Sequence, residues 1–349
     1  MIDDLLHGRY RIVDKLGFGG YSTIWLAQDD RLKRYVTIKV EISSPSTPGL
    51  ESIILRKLSA SRSRTHAVYA GIDGNEAVPK ILDEFDIQDI HLRNVLVKLP
   101  STFDELSIDQ FREKFGEPEK APISRVDGKP LLPNTPSHAV VPLYLGKKAQ
   151  DFTLADAQGL ILSDFGEAFA PATEQRLGRD CNTPVSKKVP EALFEPNSPL
   201  SYSSDIWSLG TAIWEILGMK FIFSDSDTED EIVAEQIDVL GYQNFPPSWK
   251  KHWEQLNTEM TDMDPGIPRR PTGNREIWPP LEEAFEQFVQ KYRRKREGAG
   301  TFGEEETRAV LDLMRGMLKF RPEERLTIDE VLQSEWMVKW ALPQLEGSR

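Results

Sequence analysis

The sequence has a single cysteine, Cys181, and five scattered histidines among its 349 residues. One cysteine excludes an internal disulfide, and the histidines form no cluster with the spacing of a zinc site. No apolar run is long enough to span a bilayer, and the first residues, MIDDLLHGRY, lack the basic start and apolar stretch of a secretion signal. We therefore expect a soluble intracellular protein that does not bind membranes.

Positive charge is also scarce, with 43 Lys and Arg against 56 Asp and Glu, a net charge of -13. This balance disfavours direct binding of nucleic acid through its phosphates and is compatible with a basic partner. Acidity that only keeps the protein soluble is an equally simple explanation. The length suffices for two domains or one large bilobal domain.

The front and the back of the chain have different patterns. From Tyr10 to Val40, β-branched and aromatic residues alternate with polar ones, which predicts three antiparallel strands around a Gly-rich turn. Residues 49–60, GLESIILRKLSA, have the apolar spacing of a helix of about three turns. Beyond Pro199, five segments carry an apolar stripe of helical period. The pattern predicts an α+β protein with a small β-rich front and a larger helical back.

Residues 101–159 differ from both parts because they are mixed in polarity and contain several prolines. Such a stretch is typical of an insert with limited regular structure. We expect one helix in it, around SIDQFREKFG at residues 107–116.

The stretch LGFGGYSTIW contains three glycines, Gly17, Gly19 and Gly20, which would let a hairpin backbone approach a phosphate chain closely. Gly-rich hairpins are common, however, and Ser22 stands where a G-x-G-x-x-G pattern has its third glycine. The match to a nucleotide-binding loop is therefore partial.

Two further residues could carry chemistry. Lys39 lies in the apolar strand VTIKV, where it needs a partner such as Glu51 unless it reaches solvent at the strand edge. Asp164 opens the triplet D-F-G after an apolar strand, where a carboxylate can hold Mg²⁺ against nucleotide phosphates.

Several motifs occur in one order along the chain. They are the Gly-rich hairpin, V-T-I-K, a helix Glu, D-x-x-x-x-N at residues 89–94, D-F-G at 164–166, V-P-E at 189–191, D-I-W-S-L-G at 205–210 and R-P-E-E-R at 321–325. This set resembles the eukaryotic protein kinases over nearly the whole chain. Within them it looks most like the SR-protein kinase family in a fungal-type form, on KLGFGGYSTIWLAQD, DIHLRNVL, the long insert before D-F-G, SPLSYSSDIWSLGTAIWEILG and RPEERLTIDEVLQSEWMVKWAL.

The resemblance implies a bilobal kinase-like fold, the cofactors ATP and Mg²⁺, and a role for each matching residue. Asp89 would be the catalytic base in a loop that includes His91, Asn94 and Asp164 would hold Mg²⁺, and Lys39 would bind the α and β phosphates and pair with Glu51. The residues that would lie against the nucleotide are Gly17, Gly19, Gly20, Ser22, Ile24, Lys39 and Glu51. Asp205 would brace the catalytic loop, and Glu191 would pair with Arg325.

The chain departs from the kinase pattern before Asp89. Lys39 and Asp89 are 50 positions apart, and Glu51 and Asp89 are 38 apart. In protein kinases this interval holds two strands, the hinge that binds adenine and two helices, and a helix of about 20 residues alone spans roughly 30 Å. The abrupt loss of match at Ile87 and Gln88 suggests a deletion, by splicing or an incorrect gene model.

The expected domains are therefore an incomplete N-lobe at residues 1–88 and a C-lobe at 89–349 that carries the insert at about 101–159. Loss of a helix between the lobes would expose core surface and lower the solubility. Two substitutions also depart from the pattern. His91 replaces a common Lys and, with an ordinary pKa of about 6.5, would neutralise the transferring phosphate less. Thr37 replaces an Ala beneath adenine.

Two functions follow as hypotheses. The first is a monomeric serine/threonine kinase that transfers the γ-phosphate of ATP to Ser in Arg/Ser-rich proteins such as splicing factors, in the cytoplasm and nucleus, and so regulates mRNA splicing. The alternative is a catalytically impaired pseudokinase or partner-binding protein from a truncated kinase gene.

Two charged segments bear on these hypotheses. Residues 224–236, SDSDTEDEIVAEQ, lie where this family docks basic peptides, but they also suit a solvated helix start stabilised by the helix dipole. The basic run KYRRKR at residues 291–296 is either a nuclear import signal or an exposed helix end.

Overall fold

The structure is a computed structural model of the chain. The described residues are 2–19, 22–41, 94–97, 101–133, 135–145, 160–163, 168–169, 171–218, 220–225, 228–254, 266–296 and 298–347. The chain divides into two compact units. The β-rich unit comprises Met1–Gly49 and Val97–Ile161, and the helical unit comprises Leu50–Leu96 and Leu162–Arg349.

A four-stranded antiparallel sheet forms the start of the β-rich unit. Its strands are β1 Leu5–Leu6, β2 Tyr10–Phe18, β3 Ser22–Asp29 and β4 Arg34–Glu41, in that order across the sheet. The three strands predicted between Tyr10 and Val40 are confirmed. Alternation places Trp25 and Ala27 on one face and Leu26 on the other, so both faces of the sheet have buried side chains.

The insert packs against the face of the sheet that carries Leu26. It contains a 3-10 helix, Ser101–Glu105, then α1, Ile108–Phe115, and later the antiparallel pair β6 Lys120–Pro122 and β7 His138–Val140. The predicted helix is confirmed, and the Ser107 hydroxyl and the Gln110 side chain cap its start reciprocally.

Aromatic side chains hold the insert in place. Phe111 is 1% exposed and lies between the rings of Tyr35, Phe103 and Phe115. The Tyr35 amide donates a hydrogen bond of 2.7 Å to the Asp104 carboxylate. This arrangement differs from the sequence-based division, which grouped the insert with residues 89–349, because the insert buries its rings on the sheet. The predicted boundary at residue 88 lies outside the described residues.

Helices predominate in the helical unit. The α-helices among its described residues are α2 Pro190–Phe194, α3 Tyr202–Gly218, α4 Glu229–Leu240, α5 Pro247–Trp253, α6 Leu281–Ala284, α7 Lys291–Lys295, α8 Glu304–Met317, α9 Ile328–Leu332 and α10 Leu342–Gly347. A π-helical turn, Phe285–Gln290, joins α6 to α7, and a second, Met337–Ala341, precedes α10. The five helical segments predicted beyond Pro199 are confirmed.

The core of the helical unit surrounds α3, whose side chains Trp207 and Trp214 are fully buried. The core continues into α8 through Val310 and Met314. A second, aromatic cluster joins Phe194 and Phe245 to the two tryptophans of α5. A two-stranded sheet of β5, Val95–Val97, and β8, Leu160–Leu162, completes the described strands.

The protein is therefore α+β, with a small β-rich unit and a larger helical unit, as the sequence predicted. Within the described ranges, no helix combines the length and the apolar content that crossing a membrane requires.

Candidate functional site

The Gly-rich hairpin joins β2 to β3. The Gly19 amide donates to the Ser22 carbonyl at 2.9 Å, and Gly17 lies opposite Ile24 in the ladder. A Cβ atom built on Gly17 or Gly19 would meet nothing within 4 Å, and neither residue has a positive φ. Neither packing nor backbone conformation requires glycine here, so the missing side chains leave open space at the hairpin. Gly20 lies outside the described residues.

Three predicted site residues form one row across the sheet. Gly17 lies opposite Ile24, and Ile24 lies opposite Lys39 on β4. Residues directly opposite in an antiparallel sheet share a face, so Ile24 and Lys39 project from the same side. Thr37, two residues from Lys39, is on that side and exposed. The row combines an apolar side chain and an ammonium group below an open glycine hairpin, which is chemistry suited to a nucleotide.

Asn94 lies beside the residue that precedes Asp164. Its carbonyl accepts hydrogen bonds from the Ser163 amide, at 2.8 Å, and from the Ser163 hydroxyl, at 3.0 Å, and its side chain is buried. An amide oxygen and a carboxylate are ligands that Mg²⁺ accepts. Asp164 itself, with Glu51, Asp89 and His91, lies outside the described residues.

The described residues do not complete a metal site by themselves. Among them, no group of three or more His, Cys, Asp or Glu could hold a metal ion. The metal ligands that the resemblance implies, the Asn94 amide oxygen and the Asp164 carboxylate, stay a prediction.

Three consecutive residues before V-P-E are each bound to a carboxylate of the helical unit. Lys187 forms a buried ion pair with Glu215 of α3, and its ammonium group lies 4.6 Å from the centre of the Phe221 ring. The Ser186 hydroxyl donates to Asp225 at 3.1 Å. The Lys188 ammonium group lies 3.3 Å from Glu229 at the start of α4. No sequence pattern predicted these contacts, because they join residues far apart in the chain.

The predicted pair of Glu191 and Arg325 is confirmed. Arg325 donates to both oxygens of Glu191, at 2.8 and 2.6 Å, and both side chains are buried. The other Arg325 donors are satisfied by the carbonyls of Lys319, Ser203 and Phe320. The guanidinium group also lies over the Trp207 ring. The buried guanidinium charge of Arg325 is thus compensated by the Glu191 carboxylate and by backbone carbonyls. The pair also joins α2 to the segment before α9.

Asp205 lies in the first turn of α3, next to a cavity of about 20 Å³ that also borders Thr183 and Ser204. A cavity of this size holds one water molecule. The Ser204 hydroxyl is buried and lacks a hydrogen-bond partner among the described residues. The role of Asp205 in bracing the catalytic loop stays a prediction, because residues 86–93 lie outside those described.

Hydrogen bonds hold the carboxylates of the predicted docking segment in place. The Arg269 amide donates to Asp230 at 2.9 Å, Thr228 and Glu231 form a capping box, and the Ser224 amide and hydroxyl donate to Glu235 at 2.7 Å. These donors are neutral, so they fix the carboxylates without removing their charge. Both interpretations of this segment, a helix start and a basic-peptide surface, are compatible with the geometry.

One arginine of the basic run has a structural position. Arg293 donates to the carbonyls of Leu217, Ala299 and Gly300, at 3.2, 2.7 and 2.9 Å, and lies over the Phe302 ring. Burial lowers its pKa from the ordinary arginine value. Arg293 thus fixes the end of α3, and an import signal here would depend on the other basic residues.

Two carboxylates of the β-rich sheet have displaced pKa values. The Arg9 guanidinium donates to both oxygens of Asp29, at 2.9 and 2.6 Å, and holds the pKa of this carboxyl well below its usual range. Burial raises the pKa of Asp14, although the Lys15 amide donates to it at 2.7 Å. Both groups belong to the sheet rather than to the candidate site.

Comparison with known proteins identifies the same family as the motifs. Residues 148–337, more than half of the chain, match the family model described as protein kinase domain. The chain is 24% identical to a serine/threonine protein kinase of Aspergillus fumigatus, in an alignment that covers 97% of this chain and 86% of that protein. The hairpin and Lys39 precede the residues matched by the family model.

Shorter matches relate the chain to two animal proteins. It is 54% identical to SRSF protein kinase 3 of Mus musculus over 39 residues, 11% of this chain and 7% of that protein. It is 33% identical to serine/threonine-protein kinase spk-1 of Caenorhabditis elegans over 96 residues, 27% of this chain and 9% of that protein.

Proposed function

The chain belongs to the protein kinase family, and on this premise we propose that it is an ATP-dependent kinase that phosphorylates serine in Arg/Ser-rich proteins. The observation that carries the proposal is the row of Gly17, Ile24 and Lys39 across one sheet, below an open hairpin. The family model and the relatives support kinase chemistry, and the short match to SRSF protein kinase 3 supports the substrate class.

Each site residue has one task in this proposal. Backbone amides of the hairpin and the Lys39 ammonium group would bind the phosphates of ATP, and Ile24 would pack against its base. Asn94 and Asp164 would hold Mg²⁺, which neutralises phosphate charge when it is bound. Asp89 would orient the hydroxyl of the substrate serine and accept its proton.

The substrate class rests on charge. The whole chain has a net charge of -13. In the helical unit, hydrogen bonds or an ion pair hold the carboxylates of Asp225, Glu229 and Asp230 in place, and we propose that they attract arginine side chains. Because substrates of this kind act in splicing, we propose that the protein acts in the cytoplasm and nucleus. We also propose that it acts as a monomer.

A second function is favoured by the short interval between Lys39 and Asp89. The alignment with the Aspergillus fumigatus kinase runs over 397 residues, more than this chain contains, so that protein has residues without a counterpart here. Ile216 is 61% exposed on α3, whose other side chains are mostly buried, as a lost covering helix would leave it. A chain that lost the hinge would bind basic partners without transferring phosphate.

Phosphate transfer to an Arg-Ser repeat peptide separates the two functions. We expect Mg²⁺-dependent transfer from ATP by a sample first shown to be monodisperse, and little transfer to a Gly-Ser repeat peptide of equal length. Asp89→Asn is expected to lower the rate about 10² to 10⁴-fold, the usual contribution of a general base.

Transfer at an undiminished rate in Asp89→Asn would contradict the assignment of the base. Equal transfer to both peptides would contradict the substrate class. A folded chain that binds the Arg-Ser peptide and transfers nothing would establish the second function.

A further inference from the structure

Lys188 forms an ion pair with Glu229, one of the carboxylates that, in the proposed function, bind arginine side chains of the substrate. Its ammonium group lies 3.3 Å from Glu229 in the first turn of α4. The Lys188 amide is bound to the carbonyls of Pro184 and Val185, so its backbone position is fixed. A cationic side chain of this chain itself therefore lies at the start of the acidic segment.

The Lys188–Glu229 pair is more exposed than the neighbouring Lys187–Glu215 pair. Lys187 and Glu215 are both buried, whereas the side chains of Lys188 and Glu229 are 18% and 38% exposed. A partly exposed pair contributes less than an enclosed one because water and salt screen it. The Lys188 ammonium group can therefore leave Glu229 without disturbing the core.

We propose that Lys188 is an internal competitor for basic substrates: its ammonium group must leave Glu229 before a substrate arginine binds there. The inference rests on the proposed function, because it assumes that Arg-rich peptides dock on this segment. A guanidinium group can replace the ammonium group with two parallel hydrogen bonds to one carboxylate, which a lysine cannot form. A cation that binds Glu229 more weakly than the Lys188 ammonium group does will therefore not displace it.

The test is the affinity of a fluorescent Arg-Ser repeat peptide, measured by anisotropy on the full chain. Lys188→Met is expected to bind about two- to fivefold more tightly than the unmodified chain, the range that an exposed ion pair allows. Lys188→Gln should give the same gain, and thermal unfolding will verify that both variants fold. The gain should diminish as the salt concentration rises.

Lys251→Met is the matched control. Lys251 is exposed on α5, so its replacement changes the net charge equally without touching Glu229. Its peptide affinity should equal that of the unmodified chain. In the double variant Lys188→Met with Glu229→Gln, the gain should vanish relative to Glu229→Gln alone.

Each outcome decides the question. Equal affinity of the Lys188 variants and the Lys251 control would overturn the inference and leave the substrate class intact. A gain that persists with Glu229→Gln would also overturn it, because it would not arise at Glu229. If neither the unmodified chain nor any variant binds the peptide, the substrate class and this inference both fail.

Discussion

The two units are stabilised in different ways. In the helical unit, one continuous cluster of buried side chains extends from Phe169 to Val331 and surrounds α3. In the β-rich unit, the buried clusters on the two faces of the sheet have three described residues each. One of these clusters consists of Val13 and Leu26 of the sheet and Phe111 of the insert. The helical unit thus has its own core, whereas the sheet depends on the insert.

The ion pairs of the two units also differ in burial. The Glu191 and Arg325 pair of the helical unit is fully enclosed and satisfied by carbonyls. The Arg9 and Asp29 pair of the sheet has a buried carboxylate but a partly exposed guanidinium group. The comparison predicts that single changes in the helical unit cost most and that sheet variants respond more to pH.

The largest effect is expected for Arg325→Met. It leaves the Glu191 carboxylate buried without its partner and should lower the free energy of unfolding by about 3 to 5 kcal/mol. Urea denaturation followed by tryptophan fluorescence measures it. The control Arg315→Met breaks a partly exposed pair with Glu282 and should cost less than about 1 kcal/mol. Equal losses in both variants would remove the distinction between enclosed and exposed pairs.

Phe111→Ala should weaken the β-rich unit. Removing this ring leaves a cavity against the sheet, for which we expect a loss of about 3 kcal/mol. Hydrogen exchange should show faster exchange in β2, β3 and β4 and unchanged protection in α3. Leu132→Ala, at an exposed site of the same insert, should change neither. Unchanged exchange in the sheet of Phe111→Ala would show that the sheet is stable without the insert.

A smaller, pH-dependent effect is expected for Asp29→Asn. Because Arg9 lowers the pKa of Asp29 in the folded state, the pair stabilises the fold above the unfolded pKa of about 3.9 and loses this contribution as pH falls through the folded pKa. The variant should therefore have a lower Tm at pH 7, with a difference that shrinks in acid. Asp127→Asn, in a more exposed pair with Arg125 that also lowers the pKa of Asp127, should show a smaller difference at pH 7. A constant difference at all pH values would contradict the assignment.

The smallest effect, of opposite sign, is expected for Asp14→Asn. Burial raises the pKa of Asp14, so the folded state binds the proton more tightly and loses stability as pH rises through that pKa. The asparagine variant should melt slightly higher at neutral pH and equally at a pH below both pKa values. A lower Tm at neutral pH would show that the hydrogen bond from the Lys15 amide outweighs the cost of burial.

The sequence predicts β2 to β4, the helix of the insert and the long helices because local patterns determine them. Alternation defined β2 to β4, and apolar stripes defined the long helices. Three helix starts carry a further sequence signal, which did not enter these predictions: Ser107, Thr228 and Thr327 each precede a Glu or Gln by three residues and cap their helices reciprocally.

What the sequence could not predict is which elements meet. The apolar residues of α1 require burial, but no pattern says that the Tyr35 face of the sheet covers them. Likewise, nothing in the stretch SKK indicates that Ser186, Lys187 and Lys188 bind three different carboxylates. In the candidate site, the row of Gly17, Ile24 and Lys39 follows from strand register. Asp89 was assigned by the order of motifs, and Glu51 and Asp164 by that order together with their positions in the sequence relative to an apolar strand.

We propose that this row forms the ATP site of a protein kinase, and ATP binding tests the proposal most directly. Isothermal titration of the folded, monodisperse chain should show one ATP bound per chain, more tightly with Mg²⁺ than without. Lys39→Met should weaken binding by about tenfold or more, the effect of losing a charged hydrogen bond, while Lys33→Met, at an exposed turn, should not. Absence of ATP binding by the folded chain, or equal binding by both variants, would contradict the proposal.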